Sequence, residues 1–137
     1  MATAVTPTNI QKMEFDVTTA DGPSHVTVVT GILPSGPSAF SNSNSFSNQS
    51  LSMTASVDPT LTPGQFRKAT ATAALATTVA NANAAPSSFQ FSVDGVEATL
   101  DDETGRIELR VDATAGVSNG SASIQRITFQ VTTLSKV

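Results

Sequence analysis

The chain has no cysteine, no tryptophan and no tyrosine, and a single histidine. Without cysteine, disulfide staples and thiolate metal sites are excluded. A zinc site needs several His or Cys ligands, and a Ser-His-Asp triad would rest entirely on His25. That residue borders a strand after Gly22-Pro23-Ser24 and reads as an ordinary surface or edge histidine. Without Trp or Tyr, a sugar has only phenylalanine to stack on. Charge is also scarce: Asp, Glu, Lys and Arg make up 13% of the chain, against roughly 25% in ordinary soluble domains. The net charge is −4 and the basic residues are scattered, so no basic patch is visible and a nucleic-acid partner is not expected. P-loop, Gly-x-Gly-x-x-Gly and His-Glu-x-x-His patterns are missing. No run approaches the ~18 apolar residues of a membrane helix, so membrane insertion is not expected. Met1 to Val5 carries neither a basic nor a long apolar segment. No signal peptide is therefore expected, and an extracellular or virion-surface location would require a non-classical route.

Ser, Thr, Ala and Asn take the place of charge, a composition common in extracellular β-proteins and in assembled coats or filaments. At 137 residues the chain reads as one domain, 1–137, large enough to bury a core. Its organising stretch is 87–134. Phe89, Phe91 and Val93 alternate with polar residues, the period of a half-buried strand. After Asp94-Gly95 the apolar parity switches to Val96, Ala98 and Leu100. A hairpin and a β-bulge explain that switch equally well. Asp101 to Gly105 is a polar turn. Ile107, Leu109, Val111 and Ala113 form the cleanest amphipathic strand, with charges of alternating sign on its other face. Ser118-Asn119-Gly120-Ser121 is a third turn signal, and a last strand carries Ile127, Phe129 and Val131. These segments predict a C-terminal meander.

Before that stretch, residues 1–9 read as an extended arm. Met13, Phe15 and Val17 alternate with Glu14, Asp16 and Thr18 in a first strand, Asp21-Gly22-Pro23 turns, and Val26 to Leu33 forms a second. Residues 34–50, rich in Ser, Asn, Pro and Gly, read as a flexible loop. Within it, Phe40 and Phe46 are poised to dock on the core or on a neighbouring subunit. Leu51, Met53, Ala55 and Val57 alternate again. Residues 65–85 are alanine-rich, which favours helix, but threonines alternate with alanines and large apolar residues are too few for a helical stripe, so strand is preferred. The fold class is all-β: an antiparallel β-sandwich of about seven or eight strands, immunoglobulin-like or jelly-roll-like.

Residues 10–19 (Ile-Gln-Lys-Met-Glu-Phe-Asp-Val-Thr-Thr) and 124–133 (Ile-Gln-Arg-Ile-Thr-Phe-Gln-Val-Thr-Thr) echo each other. Convergence of amphipathic strands accounts for this as well as any other cause. Pseudo-symmetry is a second explanation. The third is functional: similar terminal strands compete for one groove, so a subunit's end completes its neighbour's sheet. Asp101, Asp102 and Glu103 are the only acidic cluster. They are weak calcium candidates, because the spacing is not that of an EF-hand, and a solvated turn is the better reading. Asn48-Gln49-Ser50 and Asn119-Gly120-Ser121 are sequons.

The resulting expectation is a non-enzymatic, cofactor-free structural subunit that self-assembles into a virion, phage tail or filament, with terminal-strand addition as a route. Its expected assembly interface is Met13, Phe15, Val17, Phe40, Phe46, Ile127, Phe129 and Val131, and its partners are further copies or other structural proteins. The competing expectation is an adhesive or glycan-binding module.

Overall fold

The computed structural model describes residues 2–137. Nine strands follow one another: β1 Thr3–Ala4, β2 Thr8–Thr19, β3 Gly22–Leu33, β4 Ser38–Ser41, β5 Ser47–Thr60, β6 Phe66–Ala82, β7 Ser88–Leu100, β8 Arg106–Ser118 and β9 Gly120–Lys136. There is no helix among the described residues, and so none long and apolar enough to cross a membrane. The strands form two sheets. The first, sheet A, runs β1-β5-β8-β7; the second, sheet B, runs β2-β3-β9 with β4 and β6 also pairing β9. Strands β3 and β4 share one edge of β9, at residues 127–136 and 120–123, so β6 takes the other edge. All pairs are antiparallel except β1 with β5.

Apolar alternation explains how the sheets face each other. In β8, Ile107, Leu109, Val111, Ala113, Ala115 and Val117 are all fully buried, and they meet Val29 and Leu33 of β3 and Ile127, Phe129 and Val131 of β9 in one cluster. Each fully buried Val, Leu or Ile contributes about 1.5–3 kcal/mol relative to an exposed position. The arrangement is sandwich-like, with a single core.

Several local expectations are settled here. Residues 66–82 are strand: the alternating Ala69, Ala71 and Ala73 pack their small side chains against the core. Asp94-Gly95 is a bulge, because β7 runs unbroken and its register with β8 jumps between Val93 and Gly95. Asp94 is held out of the ladder by hydrogen bonds from Ser92 at 2.7 Å and Thr114 at 2.5 Å. The parity switch thus keeps Val93 and Val96 on the same face.

The meander expectation needs correcting. Strands β7 and β8 form a hairpin, but β9 belongs to the other sheet. A single residue, Asn119 at φ 51°, separates β8 from β9. That is too short for a two-residue hairpin, so the chain turns a corner between sheets. Residues 34–50 are not one loop either: β4 lies within them, paired to Gly120–Ser123, and β5 begins at Ser47. The 1–9 arm likewise contains β1, paired to Met53 and Thr54, and the start of β2.

Candidate functional site

Residues paired across neighbouring strands point to the same face. In β3 the core-facing residues are Thr27, Val29 and Leu33. The β2–β3 hairpin pairs Thr19 with Gly22 and thereby Met13 with Val28, Phe15 with Val26 and Val17 with Ser24. These β2 side chains therefore lie on the outer face of sheet B. Met13 is 63% exposed and Phe15 44%. The apolar band continues across the sheet, since Val26 pairs with Leu134 on β9.

The echo strand has the opposite facing. Val29, Gly31 and Leu33 pair with Val131, Phe129 and Ile127, which puts those three β9 residues in the core. Strands β2 and β9 thus flank β3 in one sheet with inverted orientation. Ile127, Phe129 and Val131 are buried within their own subunit and do not belong to an exposed interface, which corrects three of the eight expected residues. Phe40 is 63% exposed beside Ser121 of β9, on the outer side of β4. Phe46 is anchored: its ring lies across Gly116, where a Cβ would come within 2.5 Å of it.

The polar side of β2 faces inward but extends beyond the cover of sheet A. Lys12 reaches Asp58 at 3.6 Å, and Asp58 also meets Arg106 at 3.5 Å, so an ion-pair chain ties β2 to β5 and β8. His25 lies between two carboxylates, with Nδ1 2.7 Å from Asp16 and Nε2 3.4 Å from Glu14. Only the imidazolium has two N–H donors to satisfy both. The hydrogen bond to Asp16, then that to Glu14, raises the His25 pKa above its ordinary value. Both partners sit on one edge strand, and no group of three metal-ligating side chains forms among the described residues.

Asp101, Asp102 and Glu103 lie in the β7–β8 turn. The Asp101 carboxylate accepts from the Glu103 backbone N–H at 3.0 Å, and Gly105, at φ 73°, closes the turn with its N–H to the Asp101 carbonyl. The cluster does the work of a turn, with one carboxylate committed to the backbone.

Sequence reasoning missed a clamp at Asn119. This residue is buried, its side-chain amide donates to the Asn44 carbonyl oxygen at 2.6 Å and to the Pro86 carbonyl at 2.7 Å, and its backbone N–H donates to Ser43. Asn83 in turn donates to the Asn119 carbonyl. One side chain therefore pins the 42–46 and 83–87 segments to the sheet corner. Its amide is engaged, so of the two sequons only Asn48 is exposed.

Five strands have an unpaired side among the described residues, β1, β2, β4, β6 and β7, of which β1 and β4 are only two and four residues long. Strand β6 spans 17 residues, and no charged side chain occurs from Ala69 to Val93. A shallow trough of about 450 Å³ crosses sheet B, edged by Gln11, Thr30, Gln130 and Thr72. No protein-family model matches the chain, and no curated protein or solved structure does so either.

Proposed function

We propose that this protein is a non-enzymatic structural subunit that associates with further copies of itself. The observation that supports this most directly is the outward-facing apolar row of β2 at one edge of sheet B, together with the unpaired edge of β6 across the sheet, which carries no charge from Ala69 to Ala82. Soluble β-proteins ordinarily block such edges with lysine, proline, bulges or a covering segment. Here Ala69 to Ala82 has no Lys and no Pro, and its bulges fall near Arg67 and Ala76, leaving Lys68–Leu75 regular. A virion, phage tail or filament is the class of assembly this composition suits. The finer fold class belongs to the same proposal: sheets of four and five strands joined by crossovers support an immunoglobulin-like or jelly-roll-like sandwich. Light scattering coupled to size exclusion, with electron microscopy of the eluted peak, tests the proposal. Concentration-dependent growth into regular particles is expected, and a clean monomer at every concentration overturns it.

Terminal-strand addition is one route. Strand β2 pairs with its own β3 alone and is exposed along most of its length, which makes it the strand most easily exchanged. A chain lacking residues 1–19 should then bind a peptide of residues 8–20, and Phe15→Asp in that peptide should abolish binding. A stable truncated monomer that ignores the peptide excludes exchange.

The trough on sheet B supports the second reading, a glycan-binding module, because its amides and hydroxyls match a sugar's donors and acceptors. A glycan array with no hits at millimolar saccharide would exclude it.

A further inference from the structure

The chain has seven basic residues. Lys12, Arg106 and Arg110 each meet a carboxylate within 4 Å; Arg67, Lys68, Arg126 and Lys136 meet none among the described residues. Register places these four on one surface. Lys68 pairs with Leu134 and Lys136 with Ser24, both outward positions of sheet B, and Arg126 precedes the core residue Ile127. Arg67 lies over Ser24, donating to its hydroxyl at 2.5 Å. No acidic residue occupies an outward strand position of this sheet, since Glu14 and Asp16 of β2 pair with Thr27 and His25 on the other side.

The outer face of sheet A has the reverse balance. Glu97 pairs with Arg110 and Glu108 with Thr99, opposite in facing to the buried Leu109 and Val111. Asp94 and Asp112 lie on the same side, bound to Thr114 and Ser52. Four carboxylates thus share that face with Arg106 and Arg110, and neither Glu97 nor Glu108 has an ion pair among the described residues.

We infer that the outer face of sheet B in one copy stacks on the outer face of sheet A in the next. This inference rests on the self-assembly reading and names the surfaces that carry it. A second copy is the occupant that the charges select. An anionic membrane or nucleic acid would have to approach a chain of net charge −4, whereas the complementary acidic sheet is present on every copy. Stacked sheets approach to about 10 Å, and four strands about 4.8 Å apart, each contributing about eight residues of about 3.3 Å, offer about 500 Å² per face. The total of about 1,000 Å² reaches the lower bound for a specific contact. The apolar band of Met13, Phe15 and Val28 is covered in the process. Because the two faces differ, the contact is heterologous and repeats from copy to copy.

A reciprocal charge swap tests this. Lys68→Glu/Arg126→Glu/Lys136→Glu makes both outer faces acidic, and Glu97→Lys/Glu108→Lys makes both basic. All five side chains are at least partly solvent-exposed, and circular dichroism and melting confirm that each variant is folded. Each variant alone should lose self-association by more than about tenfold in Kd, since like charges then oppose each other. An equimolar mixture should regain it, because each acidic face again meets a basic one. In about 1 M salt, where the screening length falls to about 3 Å, the wild type should weaken as well. If the wild type assembles but either variant assembles equally well, or the mixture stays dissociated, face stacking is overturned while self-assembly stands. If the wild type is monomeric throughout, both fall. A charge-neutral pair, Lys68→Gln/Lys136→Gln and Glu97→Gln/Glu108→Gln, should each show an intermediate loss, and unchanged affinity in both also overturns the stacking.

Discussion

The residues with most to reveal are polar ones inside the fold. Thr27 and Thr133 face each other across β3 and β9, are fully buried, and have hydroxyls without hydrogen-bond partners. A buried hydroxyl that exchanges water for nothing costs about 1–3 kcal/mol. Thr27→Val or Thr133→Val keeps the branched shape and removes that cost. Each should raise stability by about 1 kcal/mol in urea unfolding, and an equal loss would show that the hydroxyls are satisfied in solution. His25 gives a pH signature. Its pKa is raised in the folded state by Asp16 and Glu14, so the stabilisation is complete below the unfolded value of about 6.5 and disappears as pH rises through the folded value. Melting temperature should fall across that window, and His25→Gln should flatten the fall; an unchanged profile would detach His25 from its carboxylates. Asp112 acts at the other end of the scale. The Ser52 hydroxyl, with Arg110 adding, holds its carboxyl below the usual range, so its contribution is present above the ordinary carboxylate pKa and is lost on further acidification.

At the scale of elements, the decisive device is the β8–β9 corner. Asn119 accepts a positive φ that most side chains resist and satisfies two loops through one amide. Asn119→Ala should destabilise by about 2–4 kcal/mol, combining lost buried hydrogen bonds with backbone strain. Asn119→Gly should cost less, because it keeps the conformation and loses only the amide. Equal losses would show that the φ angle contributes nothing. The same contacts reverse a simple expectation about the Ser/Asn-rich segment. From sequence, excision of residues 41–48 looks harmless, because loop closure entropy changes slowly with length. In the fold, Ser41 donates to the Ser45 carbonyl at 2.7 Å, Asn44 accepts from Asn119, and Phe46 covers Gly116. Excision should therefore give little soluble folded protein, and a well-folded deletion would show that these contacts are dispensable.

For the whole molecule, stability rests on one core shared by two sheets, with β8 at its centre. Leu109→Asp places a charge where no partner and no water can reach it. The cost of an unpaired buried charge, several kcal/mol, is comparable with a total stability of about 5–15 kcal/mol. The variant should be unfolded or aggregated at room temperature, and wild-type-like melting would remove Leu109 from the core. The exterior of the same two-sheet body is uneven in charge and apolarity, and that unevenness underlies the proposed association.

The all-β class is legible in the residues alone, because period-two alternation and turn residues such as Asp101–Gly105 are local signals. The sequence also marked Leu109 and Val111 as buried, since large apolar residues in a clean alternation need a covered face. Which face is covered was another matter. Met13-x-Phe15-x-Val17 and Ile127-x-Phe129-x-Val131 carry the same pattern, yet one points outward and the other inward. The register of the β2–β3 hairpin decided this, because a side-chain period of two means that shifting a strand by one residue inverts its facing. Only the tertiary structure joined Lys68 to Lys136 through the pairing of β6 with β9, and only it set Asn119 between loops distant in sequence. Alternation is written into neighbouring residues, whereas register, sheet order and loop docking depend on contacts between segments far apart in the chain.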